Sequence, residues 1–286
     1  MATKKKGGWA TLPKAAPAFD FSGDALKKAW KELHAGDTEP FPDVKRAGAL
    51  IKAAGRAAPK NHDEASLAEA LQAGWAAFHE GRFEEAFELG TALGVVGASL
   101  ATKAMGIHAA YLLTDANEQL KRFEMVSELA EAAVAALPSE ANSHYRRAFG
   151  LGRYSQGISI VKALKEGLAG KVRDSLEKTL AMSPDHVEAK LALAVYHAEI
   201  VSKVGGMIGG LTYGAKASEA EKLLASALKM MPKSPVAHLE QGNVALLIGG
   251  SKGEDAAVAA YEKAAKMKPH DAMEWLDARH AASQIE

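Results

Sequence analysis

Residues 74–86 read Gly74-Trp-Ala-Ala-Phe-His-Glu-Gly81-Arg-Phe83-Glu-Glu-Ala86. They close one expected helix, Glu64–Glu80, and open the next, Phe83–Ala92, with two residues between them. Glu84, Glu85 and Glu88 fall in the first turns of the second helix, where the dipole favours anions, so a structural role suffices for them. The alternation of helix and short break continues to the end of the chain. Four helices close on one phrase: Val-Ala-Ala-Leu-Pro138, Leu-Ala-Met-Ser-Pro184, Leu-Lys-Met-Met-Pro232 and Ala-Lys-Met-Lys-Pro269. Proline stops a helix because it lacks an N–H and clashes with the preceding turn. Ser139, Asp185, Ser234 and Asp271 follow within one to three residues, each expected to cap the next helix. No Asn-Gly or Asp-Gly turn joins alternating runs, so strand signals are missing. The fold class is expected to be all-α.

Residues 1–23 hold Gly7, Gly8, Pro13, Pro17 and Gly23 among scattered aromatics, the composition of an extended arm. Phe19 and Phe21 are placed to pin that arm to the body. From Asp24, Leu26, Trp30 and Leu33 form the stripe of an amphipathic helix. Gly36 and Asp37 end it, and a second helix fits Asp43–Ala57. This pair, residues 24–62, is expected as a region of its own before a helical domain at 63–286. Further helices are expected at Ser99–Leu113, Ala116–Leu137, Ser139–Lys165, Lys171–Met182, Asp185–Val204, Ala217–Met231, Ser234–Leu247, Glu254–Met267 and Asp271–Ser283. Five glycines in residues 204–215 oppose a continuous helix and predict a break or turn there.

The four prolines lie 46, 48 and 37 residues apart, close to or longer than a 34-residue period. The period and the prolines together resemble the tetratricopeptide repeat, over roughly residues 67–269, with Asp271–Ser283 closing the stack. The resemblance implies a right-handed superhelix of stacked helical hairpins. In it, Gly74 is the small residue where paired helices touch, Gly81 is the turn, and Phe83 and Ala86 open the second helix. The last repeat matches through Gly242, Ala257, Tyr261, Ala264 and Pro269. The middle repeats depart from the pattern: Ala148 and Ala194 stand where glycine is usual, and Val172 where alanine is usual. Ser99–Pro138 fits only loosely, with Gly106 in the small position. The extra residues of the two long repeats lengthen both helices of a hairpin by about two turns. Residues 203–217 then form one protruding tip. Such tips are similar to those of a subgroup that includes the regulator-of-microtubule-dynamics family and the repeat protein associated with periplasmic TRAP-type transporters.

Composition narrows the chemistry. Lysine plus arginine and aspartate plus glutamate number 35 each, so there is no basic excess to attract nucleic acid. The absence of cysteine excludes disulfides, thiolate zinc, iron–sulfur clusters and cysteine nucleophiles. No two of the ten histidines lie three to five residues apart, so no helical zinc site is encoded locally. Gly209–Lys216 approaches a phosphate loop, but Ala215 holds the lysine position and no strand precedes it. Tyr154-Ser155-Gln-Gly157 approaches a nucleophile elbow, but Arg153 stands where the first glycine belongs. Neither catalytic residues, metal nor cofactor are expected. The apolar run that a secretory signal needs is interrupted by Leu12, Pro13 and Lys14. The longest uncharged runs, Leu89–Thr102 and Val204–Ala215, fall short of the ~18 residues of a membrane span. A cytoplasmic protein is expected; the alternative reading of the basic start makes Lys4–Lys6 and Trp9 a docking peptide.

Stacked hairpins line their concave side with the first helix of each pair. By that register the groove residues are Leu71, Trp75, Phe78 and His79, then Asn142, Tyr145, Phe149 and Arg153. Glu188, Leu191, Val195 and Glu199 follow, then Leu239, Asn243 and Leu246. Tyrosine, tryptophan and arginine are common interface anchors, although Trp75, Phe78 and Phe149 equally suit the core between hairpins. Tyr145 and Leu191 occupy the positions where carboxylate-clamp members of the family carry lysine, which argues against such a clamp. The expected function is a non-enzymatic scaffold for a protein or peptide. The alternative is a small-molecule binder with an apolar pocket near Met207 and Tyr213 in the glycine-rich tip.

Overall fold

The computed structural model describes residues 8–286; Lys4–Lys6 of the expected docking peptide lie outside them. Among the described residues the chain is helical, with no strand. It packs as two compact units. The first runs up to His34 and over Thr38–Ser183; the second comprises Ala35–Asp37 and Pro184–Glu286.

The first unit holds α1 (Ala25–Leu33), α2 (Val44–Ala54), α3 (Glu64–His79), α4 (Phe83–Ala92), α5 (Ala98–Leu112), α6 (Ala116–Ala136), α7 (Ala141–Gln156), the short α8 (Ile160–Lys165) and α9 (Leu168–Met182). Helix α3 pairs with α4, α5 with α6 and α7 with α9, and α5 also packs on α3 and α7. The pair α1–α2 is not a region of its own. Ala47, Leu50 and Ala54 of α2 share one buried cluster with Leu67, Ala68 and Leu71 of α3. A second cluster joins Ala109, Phe123, Tyr154 and Leu168.

The expected helix Ser139–Lys165 is divided. Gly157 ends α7, and Ser159 restarts the chain as α8 by accepting the Lys162 N–H at 3.2 Å. Ser139 does not cap α7. The Glu140 N–H closes a turn onto the Leu137 carbonyl, which leaves Ser139 inside the turn and Glu140 at the N-cap position.

The second unit holds α10 (Val187–Tyr213), α11 (Ala217–Met230), α12 (Pro235–Gly249), α13 (Glu254–Ala265) and α14 (Ala272–Ser283). Helix α10 pairs with α11 and α12 with α13, while α14 covers α12 and α13. Val187, Leu191, Ala194 and Ala198 of α10 meet Ala220, Leu224 and Ala227 of α11 in its core. Ser234 and Asp271 cap α12 and α14 as expected. Asp185 does not cap α10. The buried His186 does, its Nδ1 accepting the Ala189 N–H at 3.0 Å. The Gly36 carbonyl takes the adjoining Glu188 N–H at 2.9 Å. The expected break in the glycine-rich stretch falls at Gly205, whose φ of 80° and ψ of 157° interrupt α10. The chain then returns to helix as far as Tyr213, and Gly214 stops it in the left-handed region at φ 65°.

Close helix contacts use residues with little or no side chain. Gly81 turns between α3 and α4 with φ 81°. A Cβ on Gly74 would overlap Leu100, and one on Gly242 would overlap the Tyr261 ring. At Gly97 a Cβ would run into the Gly90 carbonyl, and at Gly253 into the Ala245 carbonyl. Ala86 is fully buried in α4. Ala86→Leu should therefore cost ~1–3 kcal/mol, and Gly97→Ala a similar amount, because a backbone carbonyl cannot rotate away. Gly170 in α9 faces open space, so Gly170→Ala should raise stability by up to ~1 kcal/mol. Urea midpoints of the three variants check both signs.

Candidate functional site

The face built from α3, α5 and α7 is already occupied by the chain's own N-terminal segment. Trp30 of α1 stacks on His34 with ring centroids 4.0 Å apart and stands edge-on to Trp75 at 5.8 Å. His34 and His79 meet through their Nε2 atoms at 3.1 Å, so one ring donates and the other accepts there. Phe21 sets its ring edge-on to His79, and its N–H donates to Glu80 at 2.9 Å. Phe78 packs on Phe83 within the hairpin and lies beneath Lys103. Trp75, Phe78 and His79 are consequently buried, Trp75 to 2 % exposure, and offer no open surface to a partner. An aromatic segment covers them because open aromatic area on the hairpins is costly to leave in water.

The strap continues beyond α1. The Trp30 indole N–H donates to the Glu39 carbonyl at 2.8 Å. The Glu39 carboxylate accepts from Ser99 at 2.6 Å and from Asn142 at 2.8 Å. Gln72 donates to the Pro42 carbonyl at 2.8 Å, and Arg46 forms a two-pronged pair with Glu140. Asn142 is thus committed to the same chain. Tyr145, one turn further along α7, is buried with the Arg146 guanidinium 5.1 Å from its ring.

The arm reaches furthest at Trp9. Its ring lies 4.4 Å from the His108 ring and 5.4 Å from that of Phe87, with the Arg122 guanidinium 4.3 Å from its centroid. The Ala10 N–H donates to His108 Nε2 at 2.8 Å, while Arg122 lies 3.0 Å from Nδ1. Burial, and then the Arg122 cation, push the His108 imidazole down to about 4.

The remaining expected site residues fare differently. Phe149 is half-buried over Gly106, and Arg153 is half-buried with its guanidinium 5.6 Å from the Phe149 ring. Glu199 is half-buried and pairs with Lys203 at 3.2 Å. Asn243 is spent within its own hairpin, accepting from the Tyr261 hydroxyl and donating to Glu240, both at 2.8 Å. The pocket expected near Met207 and Tyr213 does not enclose anything, because Met207 is 81 % exposed. No group of three His, Asp or Glu among the described residues is placed to hold a metal ion. Helix α10 is long and apolar enough to cross a membrane by length and composition, although its first half lies in the core of the second unit.

Sequence reasoning missed His34, Glu39, Glu80, Arg46 and His108. Their partners lie roughly 45 to 100 residues away in the chain, beyond any local pattern. The one available signal was the aromatic content of residues 9–30, too apolar for a free tail. No family model and no curated protein matches the chain, so its functional reading rests on this geometry.

The His108 arrangement has a pH consequence. The imidazole is neutral when the arm is seated, with its pKa at about 4; release of the arm removes part of the burial, leaves Arg122 in place, and lets the pKa rise part of the way toward the ordinary 6.5. Seating is therefore most favoured above about 6.5 and weakens as pH falls toward 4. The protection factor of the Ala10 amide in hydrogen exchange should fall over that window. His108→Gln, which cannot gain a proton there, should flatten the dependence.

Proposed function

We propose that the chain is a non-enzymatic, tetratricopeptide-like scaffold that binds an extended protein segment along α3, α5 and α7. The observation that carries this reading is the seated N-terminal arm itself. Glu80 and His108 each accept a backbone N–H of the arm, and Gln72 grips a backbone carbonyl further along the strap. Contacts to main-chain groups suit any extended peptide, while side-chain pockets supply selectivity. Here those pockets hold Trp9 and Phe21. Phe149 and Arg153 continue the same helix α7 beyond Asn142 and add a ring and a cation that stay half-open. In this reading the partner is a protein of the cytoplasm, and no nucleic acid, metal or cofactor takes part. A tethered arm competes at an effective concentration on the order of millimolar, so a partner must displace it or wait for its release.

The test uses the full chain. Trp9→Ala removes the ring contacts with His108 and Phe87 and should release the arm. The variant should then capture a labelled peptide of residues 8–23 in trans, read by fluorescence anisotropy, whereas the wild-type chain should not. A peptide lacking the Trp9 side chain should bind at least about tenfold more weakly, as truncation of an aromatic anchor does. Failure of a folded Trp9→Ala chain to bind the peptide would remove the basis for a peptide-binding face.

A further inference from the structure

We infer that the end of the α10–α11 hairpin, residues 204–216, is a docking surface for an anionic lipid bilayer. This rests on a different part of the molecule from the peptide face and stands or falls without it.

Met207, Ile208 and Leu211 project from the second half of α10 at 81 %, 55 % and 85 % exposure. Leu211 and Met207 are the most exposed large apolar side chains among the described residues. They are held outward by a rigid base. The left-handed Gly214 closes the turn, and the Ala215 N–H returns to the Gly209 carbonyl at 2.9 Å. The Tyr196 hydroxyl donates to the Tyr213 carbonyl at 3.2 Å. Gly209 is buried against Ile200 and Gly210 is half-buried, so this stretch turns its backbone inward there while Met207, Ile208 and Leu211 lie outward.

The charge pattern selects the occupant. Between Glu199 and Glu219 the only charged residues are Lys203 and Lys216, one on each side of the apolar stretch. Glu199 pairs with Lys203, and Lys216 is exposed. An aliphatic wedge flanked by lysines, with no carboxylate in the stretch between them, matches a surface that is apolar inside and anionic at its rim. A protein interface of this size would be expected to centre on Trp, Tyr or Arg, which hot spots favour. Here the one aromatic residue, half-buried Tyr213, sits at the base of the wedge, at the level where headgroups would lie. The break at Gly205 turns the wedge away from the line of the first half of α10, whose Leu191, Ala194 and Ala198 remain in the core of the second unit. Docking therefore needs no unfolding.

The experiment is vesicle flotation of the full chain. It should float with vesicles of mixed phosphatidylserine and phosphatidylcholine, and weakly with phosphatidylcholine alone. Replacing Met207, Ile208 and Leu211 by serine should lower partitioning at least about tenfold, the scale of losing several buried aliphatic side chains. Lys203→Gln with Lys216→Gln should lower it about fivefold per charge on the anionic vesicles only. Val258→Ser, at another exposed aliphatic position, should change nothing. All these sites are exposed, and unchanged melting curves confirm that the variants fold. Because the chain has no cysteine, Leu211→Cys accepts a single environment-sensitive dye, whose emission should shift to the blue on anionic vesicles; a dye on Val258→Cys should not shift. Undiminished flotation of the triple serine variant, no flotation of the wild type, or an unshifted dye at position 211 would each overturn the assignment.

Discussion

The distance between neighbouring helix backbones is the constraint on which this molecule depends. At Gly90 and Gly97 two backbones come so close that a single carbon would collide with a carbonyl. Gly74 under Leu100 and Gly242 under the Tyr261 ring repeat the device in each unit. Alanine does similar work at Ala86, Ala130, Ala194 and Ala227, all essentially fully buried. Interiors this dense tolerate neither added nor missing volume well. Close helices bring the first members of successive hairpins into contact, and those contacts create the continuous face that the N-terminal segment covers.

That covering gives the polar groups of the face their partners. Glu39 joins Trp30, Ser99 and Asn142, while His34 and His79 satisfy one another in a dry aromatic setting. A buried polar group without such a partner costs a few kcal/mol, so the network and the apolar contacts support the same arrangement.

Much of the helical layout was legible because helix ends announce themselves. Pro232 followed by Ser234, and Pro269 followed by Asp271, stop one helix and cap the next within the same few residues. Gly205 and Gly214 mark the break and the end of α10 through backbone angles that other residues resist. Local rules failed where a tertiary contact chose between neighbours. His186 rather than Asp185 caps α10, and a turn at Leu137 moves the start of α7 past Ser139. The site was least legible. Trp75 and His79 have the residue types of an open groove, and only packing from Trp30 and Phe21, more than 40 residues upstream, reveals that the groove is filled.

The wide sequence separations within the strap have a consequence for biosynthesis. Ala10 and His108 are 98 positions apart, and Glu39 and Asn142 are 103. A ribosome adds ~5–20 residues per second, so Trp9, Phe21 and Trp30 emerge about 6–30 s before α7 is complete. During that interval the nascent chain shows these aromatic side chains without the full surface that buries them. The contact of Glu39 with Asn142 is made only after two hairpins and the first helix of a third have been synthesised.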